Sequence, residues 1–259
     1  MKTVKICGAL LLAVFLCGCA QGKPVETTVP VTETTAPVTT APDMLSADTQ
    51  LKTIWEARDT WRVLEETEGW CYAVTDLDGN GRLEILSSET HGTGNFTTLR
   101  AWEVSEDGAS LNPIAAPTDD GEGGPVLSSG YYSDENPSKE DVEAYTDGSG
   151  ITYYIQTDIN KDGAAHYYET KQAVFLKDGK LDRQIVATKQ TDYDENGGET
   201  VTCQNGSGES ISEDDYETAV QRRFEGLSQK NVTFGWLSCV HSEELHEEAL
   251  QASWENFRK

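Results

Sequence analysis

Four oxygen-bearing side chains recur at alternate positions in one short acidic stretch of this chain. The segment "DLDGNGRLE" places Asp76, Asp78 and Asn80 at its first, third and fifth positions and Glu84 at its ninth. Calcium in proteins takes six to eight hard oxygen ligands from carboxylates, amides and backbone carbonyls. The spacing predicts a loop that coils around a hard cation, with the backbone carbonyl of Arg82 as a further ligand.

The residues between these ligands fit the same prediction. Gly81 permits a sharp turn, and Leu83 is expected to point away from the loop into the core. The alternative is a plain hairpin turn, in which "DGNG" is chosen for positive φ. A plain turn accounts for the two glycines and Asn80, but not for three acidic side chains that would face one another without a cation.

The loop resembles two calcium-binding families. Its first nine positions are similar to the EF-hand loop, but the twelfth position is Ser87, where that family has a bidentate Glu, and the flanking segments alternate like strands. All nine positions match the β-hairpin calcium loop D-x-[DN]-x-[DN]-G-x-x-[DE] of FG-GAP repeats. That resemblance covers about one propeller blade, residues 70–114, and implies that Glu84 completes a Ca²⁺ site.

Two weaker variants of the pattern occur further along. "DINKDGAAH" offers Asp158, Asn160 and Asp162, with His166 in the ninth position where a hard cation prefers oxygen. We expect it to be a weaker metal loop. "DYDENGGET" offers Asp192, Asp194 and Asn196 but ends on Thr200, and a plain turn is the simpler interpretation of that segment.

The segments around the acidic loop predict an α+β fold. Residues 46–69 have apolar spacings of three and four, with Ser46 as N-cap, which predicts an amphipathic helix. Alternating segments then predict an antiparallel, propeller-blade-like sheet of hairpins, one of which turns at "KDGK". For 138–157 a pair of strands around "DGSG" competes with a short helix capped by Ser138. Two C-terminal helices, capped by Ser212 and Ser242, are expected to close the domain.

The N-terminal residues predict export. Lys2 and Lys5 precede an apolar segment, residues 6–16, that is too short to span a bilayer, as in a secretory signal. The following "LCGC" resembles the lipobox of bacterial lipoproteins, which implies a signal peptide of residues 1–18, a lipidated Cys19, and localisation on the outer face of the cell membrane. The order of helix, loop and strands is also similar to uncharacterised surface lipoproteins of gut Firmicutes.

Composition divides the rest of the chain into a stalk and one domain. Residues 19–42 are rich in Thr and Pro without an aromatic residue, so they are expected to form an extended stalk, and residues 43–259 a single folded domain. The formal charge of -25 disfavours nucleic acid as a partner. The three cysteines after Cys19 (Cys71, Cys203 and Cys239) allow at most one disulfide, and we expect buried thiols.

No enzyme motif accompanies the acidic loop. The sequence has no GxSxG, HExxH or P-loop, and the Cys239, His241, His246 cluster lacks the spacing of a zinc site. His91 lies beside the hairpin in a predicted loop. The sequence therefore favours a non-enzymatic, calcium-stabilised module that binds an extracellular ligand. A secreted hydrolase with a carboxylate site and a structural or regulatory envelope protein remain the alternatives.

Overall fold

The computed structural model describes residues 45–63, 70–89, 98–116, 124–128, 137–238 and 245–259. All of them belong to one compact unit, Asp43–Lys259. Its helices are α1 (Ala47–Glu56), α2 (Arg58–Trp61), α3 (Glu213–Glu217), α4 (Ala219–Arg223) and α5 (Glu247–Phe257). Its strands are β1 (Trp70–Thr75), β2 (Glu84–Glu89), β3 (Leu99–Val104), β4 (Leu111–Ile114), β5 (Ser138–Thr146), β6 (Thr152–Asp162), β7 (His166–Lys177), β8 (Lys180–Tyr193), β9 (Glu199–Asn205), β10 (Ser210–Ile211) and β11 (Ser228–Ser238).

These strands form a single 11-stranded sheet in the order β10-β9-β8-β7-β6-β5-β11-β1-β2-β3-β4. All pairings between named strands are antiparallel, which confirms the α+β class with an antiparallel sheet. β1 to β4 are consecutive neighbours, the blade-like meander expected around the acidic loop. The hairpin at "KDGK" is confirmed, and residues 138–146 form β5, not a short helix.

β11 is the main element that sequence reasoning missed. It lies between β5 and β1 and joins the two halves of the sheet. Val232, Phe234 and Trp236 alternate along it and are all buried in one cluster. That period-two pattern is the ordinary signal of a strand. The signal is obscured in the sequence because β11 begins where the preceding helix is predicted to end.

The helices differ from the prediction at their ends. Ser46 caps α1 as expected, accepting a hydrogen bond from the Thr49 amide. The first predicted C-terminal helix is divided into α3 and α4 at Thr218, whose hydroxyl donates a hydrogen bond to the carbonyl of Asp214. Such local side-chain bonds compete with a regular helix. The last helix begins later than predicted, with the His246 ring accepting from the Ala249 amide. Ser242 lies outside the described residues.

The two faces of β1 meet different parts of the core, so every residue of this strand is buried. On one face, Tyr72 and Val74 pack with side chains from α1, α2 and α5. On the other, Cys71 and Ala73 join the cluster that contains Tyr154 and Phe234. A strand held on both faces gives the loop that follows it a rigid origin.

α5 also ties β1 to β11 where the two strands diverge. Their pairing is confined to Cys71↔Ser238 and Tyr72↔Leu237. Further along, the Ser253 hydroxyl of α5 accepts from the Val74 amide at 2.9 Å and donates to the Gly235 carbonyl at 2.6 Å. The Ser253 backbone lies so close to Gly235 that an added Cβ would come within 2.9 Å of it. None of the helices in the described part of the chain is long and apolar enough to cross a membrane.

Candidate metal centre

The acidic loop connects β1 to β2. It is closed by the Thr75↔Glu84 pair, and Gly79 and Gly81 both have positive φ, 69° and 82°. The plain-turn argument therefore holds for the two glycines. The acidic side chains need a separate explanation.

Asp76, Asp78 and Glu84 converge inside this loop. Each offers a carboxylate oxygen, and these oxygens all lie within 4.8 Å of one another. The structure thus brings together three of the predicted ligands as an acidic cluster that could hold a metal ion. Like charges at such distances repel unless a cation or a proton intervenes.

Glu84 is the most deeply buried member of the cluster, with no exposed surface. Its Oε2 accepts hydrogen bonds from the Thr75 hydroxyl and the Leu77 amide, each at 2.9 Å. Its Oε1 is buried and has no hydrogen-bond partner among the described residues. Burial raises the pKa of Glu84 well above its usual range, and the charges of Asp76 and Asp78 add to the effect.

Asp76 presents a second oxygen of the same kind. Its Oδ2 accepts from the Gly81 amide at 3.2 Å, whereas its Oδ1 is buried and unpartnered in the described structure. Burial is the largest cause that raises the pKa of Asp76. Buried acceptors are nearly always satisfied, and these two are the carboxylate oxygens among the seven buried side-chain atoms that lack a partner in the described residues.

The remaining predicted ligands shape the outer part of the loop. Asp78 accepts from the Asn80 amide and side-chain nitrogen, at 3.2 and 3.0 Å. Asn80 in turn accepts from the Arg82 amide at 2.7 Å through its Oδ1. The role of the Arg82 carbonyl as a ligand stays a prediction.

Glu103 of β3 is a functional candidate that the sequence pattern missed. It pairs with Glu84 across the sheet and reaches the same loop. Its Oε1 accepts from Asn80 Nδ2 at 2.7 Å, and its Oε2 lies 2.6 Å from the Arg82 guanidinium. The arginine therefore neutralises this fourth carboxylate. The sequence signal that could have identified Glu103 is its position on the inward-facing alternation of a strand, in line with Leu99 and Ala101.

Two further side chains hold the loop from other elements. Gln50 of α1 donates to the Gly81 carbonyl at 2.9 Å and accepts from the Leu83 amide at 2.8 Å. The Tyr154 hydroxyl of β6 donates to the Leu77 carbonyl at 2.9 Å. Burial, together with the charges of the cluster, strongly raises the pKa of this tyrosine, so it stays a donor. Leu83 is buried, as predicted.

The weaker metal loop predicted at Asp158, Asn160 and Asp162 is not a loop in the structure, so this prediction is corrected. These residues lie within β6, paired in register with Thr170, Tyr168 and His166. Side chains at alternate positions of an extended strand are spread along it and cannot coil around an ion. The tyrosine-rich strand β7 provided a partner for the whole acidic segment, so the loop shrank to residues 163–165.

The third variant behaves as a turn. Asp194 accepts from the amides of Asn196 and Gly198, at 2.8 and 2.7 Å, and thus caps its own turn. Asp192 belongs to β8 and contacts the His166 ring at 2.6 Å.

Several predicted positions cannot be placed. Cys19, His91, Cys239 and His241 lie outside the described residues, and His246 caps α5. Cys71 and Cys203 are both buried, as expected of small apolar residues, and Cys203 is a free thiol. Burial is the largest cause that raises the pKa of the Cys203 thiol.

Comparison with known proteins found no matching family model, curated protein or solved structure.

Proposed function

We propose that this chain is a cell-surface lipoprotein whose single domain binds Ca²⁺ in the β1–β2 loop and presents a non-enzymatic binding surface to an extracellular ligand. The observation that carries the ion site is the pair of buried carboxylate oxygens, Asp76 Oδ1 and Glu84 Oε1, that lack any partner in the described structure. Their cluster with Asp78 has no sulfur or imidazole donor.

The donor chemistry favours calcium over other metals. Zinc prefers Cys and His, and Mg²⁺ demands a compact octahedron with several retained waters. Carboxylates at alternate loop positions, an amide oxygen and one backbone carbonyl are the ligands of a larger, flexible cation. Glu84 is fully buried, so the ion is proposed to hold the hairpin in place and not to act on a substrate.

The ion proposal is tested by thermal melting of the 43–259 fragment, which contains every described element. A ligand that binds only the native state raises its melting temperature. At a calcium concentration about 100 times Kd, the gain is about 2.7 kcal/mol. For a domain of this size that corresponds to about 5–10 °C. The absence of any shift between millimolar calcium and a chelator contradicts the proposal.

The surface location rests on "LCGC" and the stalk. Metabolic labelling of the full chain with an alkyne-bearing fatty acid tests it, with Cys19→Ser as the matched control. Label on the wild type and none on the variant is expected. Label on neither, or on both, contradicts the assignment of Cys19.

Glycan and peptide binding screens, run beside a panel of hydrolase substrates, test the proposed binding role. Hydrolase activity would overturn that role.

A further inference from the structure

A groove lies at the end of the sheet that is remote from the ion loop, where β8, β9 and β10 pair. It has a volume of about 650 Å³ and lies between the sheet and the helix pair α3–α4. Ligand pockets in proteins commonly range from about 300 to 1,000 Å³. The floor of the groove comes from β8, the end of β9 and β10, and one wall comes from α4.

The apolar part of the groove is formed at an irregular place in the sheet. Lys171 pairs with Ala187 but Gln172 with Ile185, so Val186 is an extra residue that makes a bulge in β8. Ile185, Val186 and Ala219 line the groove at this level. Bulges of this kind re-aim side chains next to binding sites.

Gly206 shapes the floor by a close backbone approach. A Cβ on this residue would lie 2.2 Å from the Ile185 carbonyl oxygen. Its φ is not in the left-handed region, so the glycine is required by this contact and not by its own conformation. β9 ends immediately before it, at Asn205, which leaves the concavity open at this point.

The polar part of the groove is basic. Ala219, Arg222 and Arg223 follow one another at helical spacing along the wall, and Asp215 is the acidic residue of the lining. Asp215 already accepts a hydrogen bond from the Ser212 hydroxyl and pairs with Arg222, and these two contacts lower its pKa. Arg223 takes part in none of the ion pairs found in the described part of the chain. Its guanidinium lies 5.9 Å from the Phe224 ring centroid.

We infer that this groove binds a small organic anion that joins an apolar body to a carboxylate, with Arg223 receiving the carboxylate and the Ile185–Val186 floor receiving the apolar body. Charge complementarity favours this occupant, because Arg223 lines the groove and makes no ion pair among the described residues, on a chain whose formal charge is -25. Guanidinium matches carboxylate geometry with two parallel hydrogen bonds. The inference rests on the proposed binding role for its biological use and supplies a ligand class to it.

The test is a titration of the ¹⁵N-labelled 43–259 fragment with 3-(indol-3-yl)propionate, followed by amide chemical shifts. Its neutral isostere, 3-(indol-3-yl)propionamide, is the ligand control. We expect saturable shifts centred on Gly206, Ser207 and Ala219, and binding at least about fivefold tighter than the amide, since a charged hydrogen bond is worth more than a neutral one.

Variants make the assignment to the groove falsifiable. Arg223→Gln should weaken the propionate at least about fivefold and leave the amide unchanged, whereas Lys230→Gln removes one exposed charge outside the groove and should change neither. Equal binding of propionate and amide, shifts located elsewhere, or full binding by Arg223→Gln overturns the inference. The calcium melt of the same variants is read separately, so a failed ion site and a failed groove give different results.

Discussion

Asp76 and Glu84 lie at opposite ends of the β1–β2 loop, their carboxylates approach within 4.8 Å, and each has one buried carboxylate oxygen without a partner among the described residues. Each uses its second oxygen to accept backbone hydrogen bonds that fix the loop. The two unpartnered oxygens are thus left for a ligand that the described residues do not supply. Without a cation, burial raises the pKa of both carboxyl groups, and the charge of Asp78 adds to the effect on each of them.

Removing the charge of Asp76 should separate loop stability from ion binding. In chelator, Asp76→Asn is expected to melt at or above the wild-type temperature, because it relieves repulsion within the cluster. In calcium, it should lose the rise of about 5–10 °C expected for the wild type. Asp178→Asn, in an exposed turn with φ 52°, is the matched control and should retain the calcium shift.

The pH dependence of the calcium-free domain should carry the signature of Glu84. Its folded pKa is raised, so the folded state holds a proton that the unfolded chain releases. This stabilisation is fully present below the unfolded pKa, about 4.3, and is lost as pH rises through the folded value. Urea unfolding of chelator-stripped protein from pH 4.5 to 8 measures it.

Glu84→Gln is the control for this dependence. Glutamine can still accept from the Leu77 amide but has no proton to lose, so the variant should unfold with a smaller decline in stability over the same pH range. The difference between the two curves isolates Glu84 from the other acids of the chain. Parallel curves contradict the assignment. Calcium affinity of the wild type should rise with pH, since the ion binds the ionised carboxylate.

The sequence was informative where chemistry and periodicity coincide. The alternating oxygens of the acidic loop and the N-cap Ser46 follow local rules, and both appear as predicted. Glu103 was not predictable in this way, because it reaches the loop only through the register of β2 with β3. The prediction of a loop in the acidic segment of β6 was wrong for a related reason. Pairing with β7, which is distant information, overrides the loop-like composition of this segment.

Gln50 should link the N-terminal helix to the ion site. Gln50→Ala removes a donor to the Gly81 carbonyl and an acceptor for the Leu83 amide. Leaving buried backbone groups unsatisfied costs about 1–3 kcal/mol each. Chemical denaturation is expected to show a loss within this range or above it, together with weaker calcium binding. Gln204→Ala, at an exposed position of β9, should change neither, and a Gln50 variant as stable as the wild type would refute the link.

Tyr154 should stabilise the loop without serving the ion directly. Tyr154→Phe deletes the hydroxyl that donates to the Leu77 carbonyl, with an expected cost of about 1–3 kcal/mol. The calcium-induced rise in melting temperature should persist, since no ligand is removed. Tyr193→Phe, on a ring that is 40% exposed, is the comparison and should be neutral. Loss of the calcium response in Tyr154→Phe would show that the hydroxyl belongs to the site.

Mutations in the two weaker versions of the loop pattern test whether calcium binds only at the β1–β2 loop. Asp158 lies in β6 and Asp194 caps its own turn, so Asp158→Ala and Asp194→Ala should leave the calcium response unchanged. Any cost in stability should appear equally in calcium and in chelator. A reduced calcium response in either variant would indicate a second site outside the β1–β2 loop.

Isothermal titration of calcium into the chelator-stripped 43–259 fragment tests the central claim most directly. The site predicts one saturable binding event, with Kd at or below the range of about 10⁻⁴ to 10⁻³ M found for extracellular calcium modules. The event should be absent from Asp76→Asn and present in Asp178→Asn. No binding by the wild type, or equal binding by Asp76→Asn, would contradict a calcium site formed by Asp76, Asp78 and Glu84.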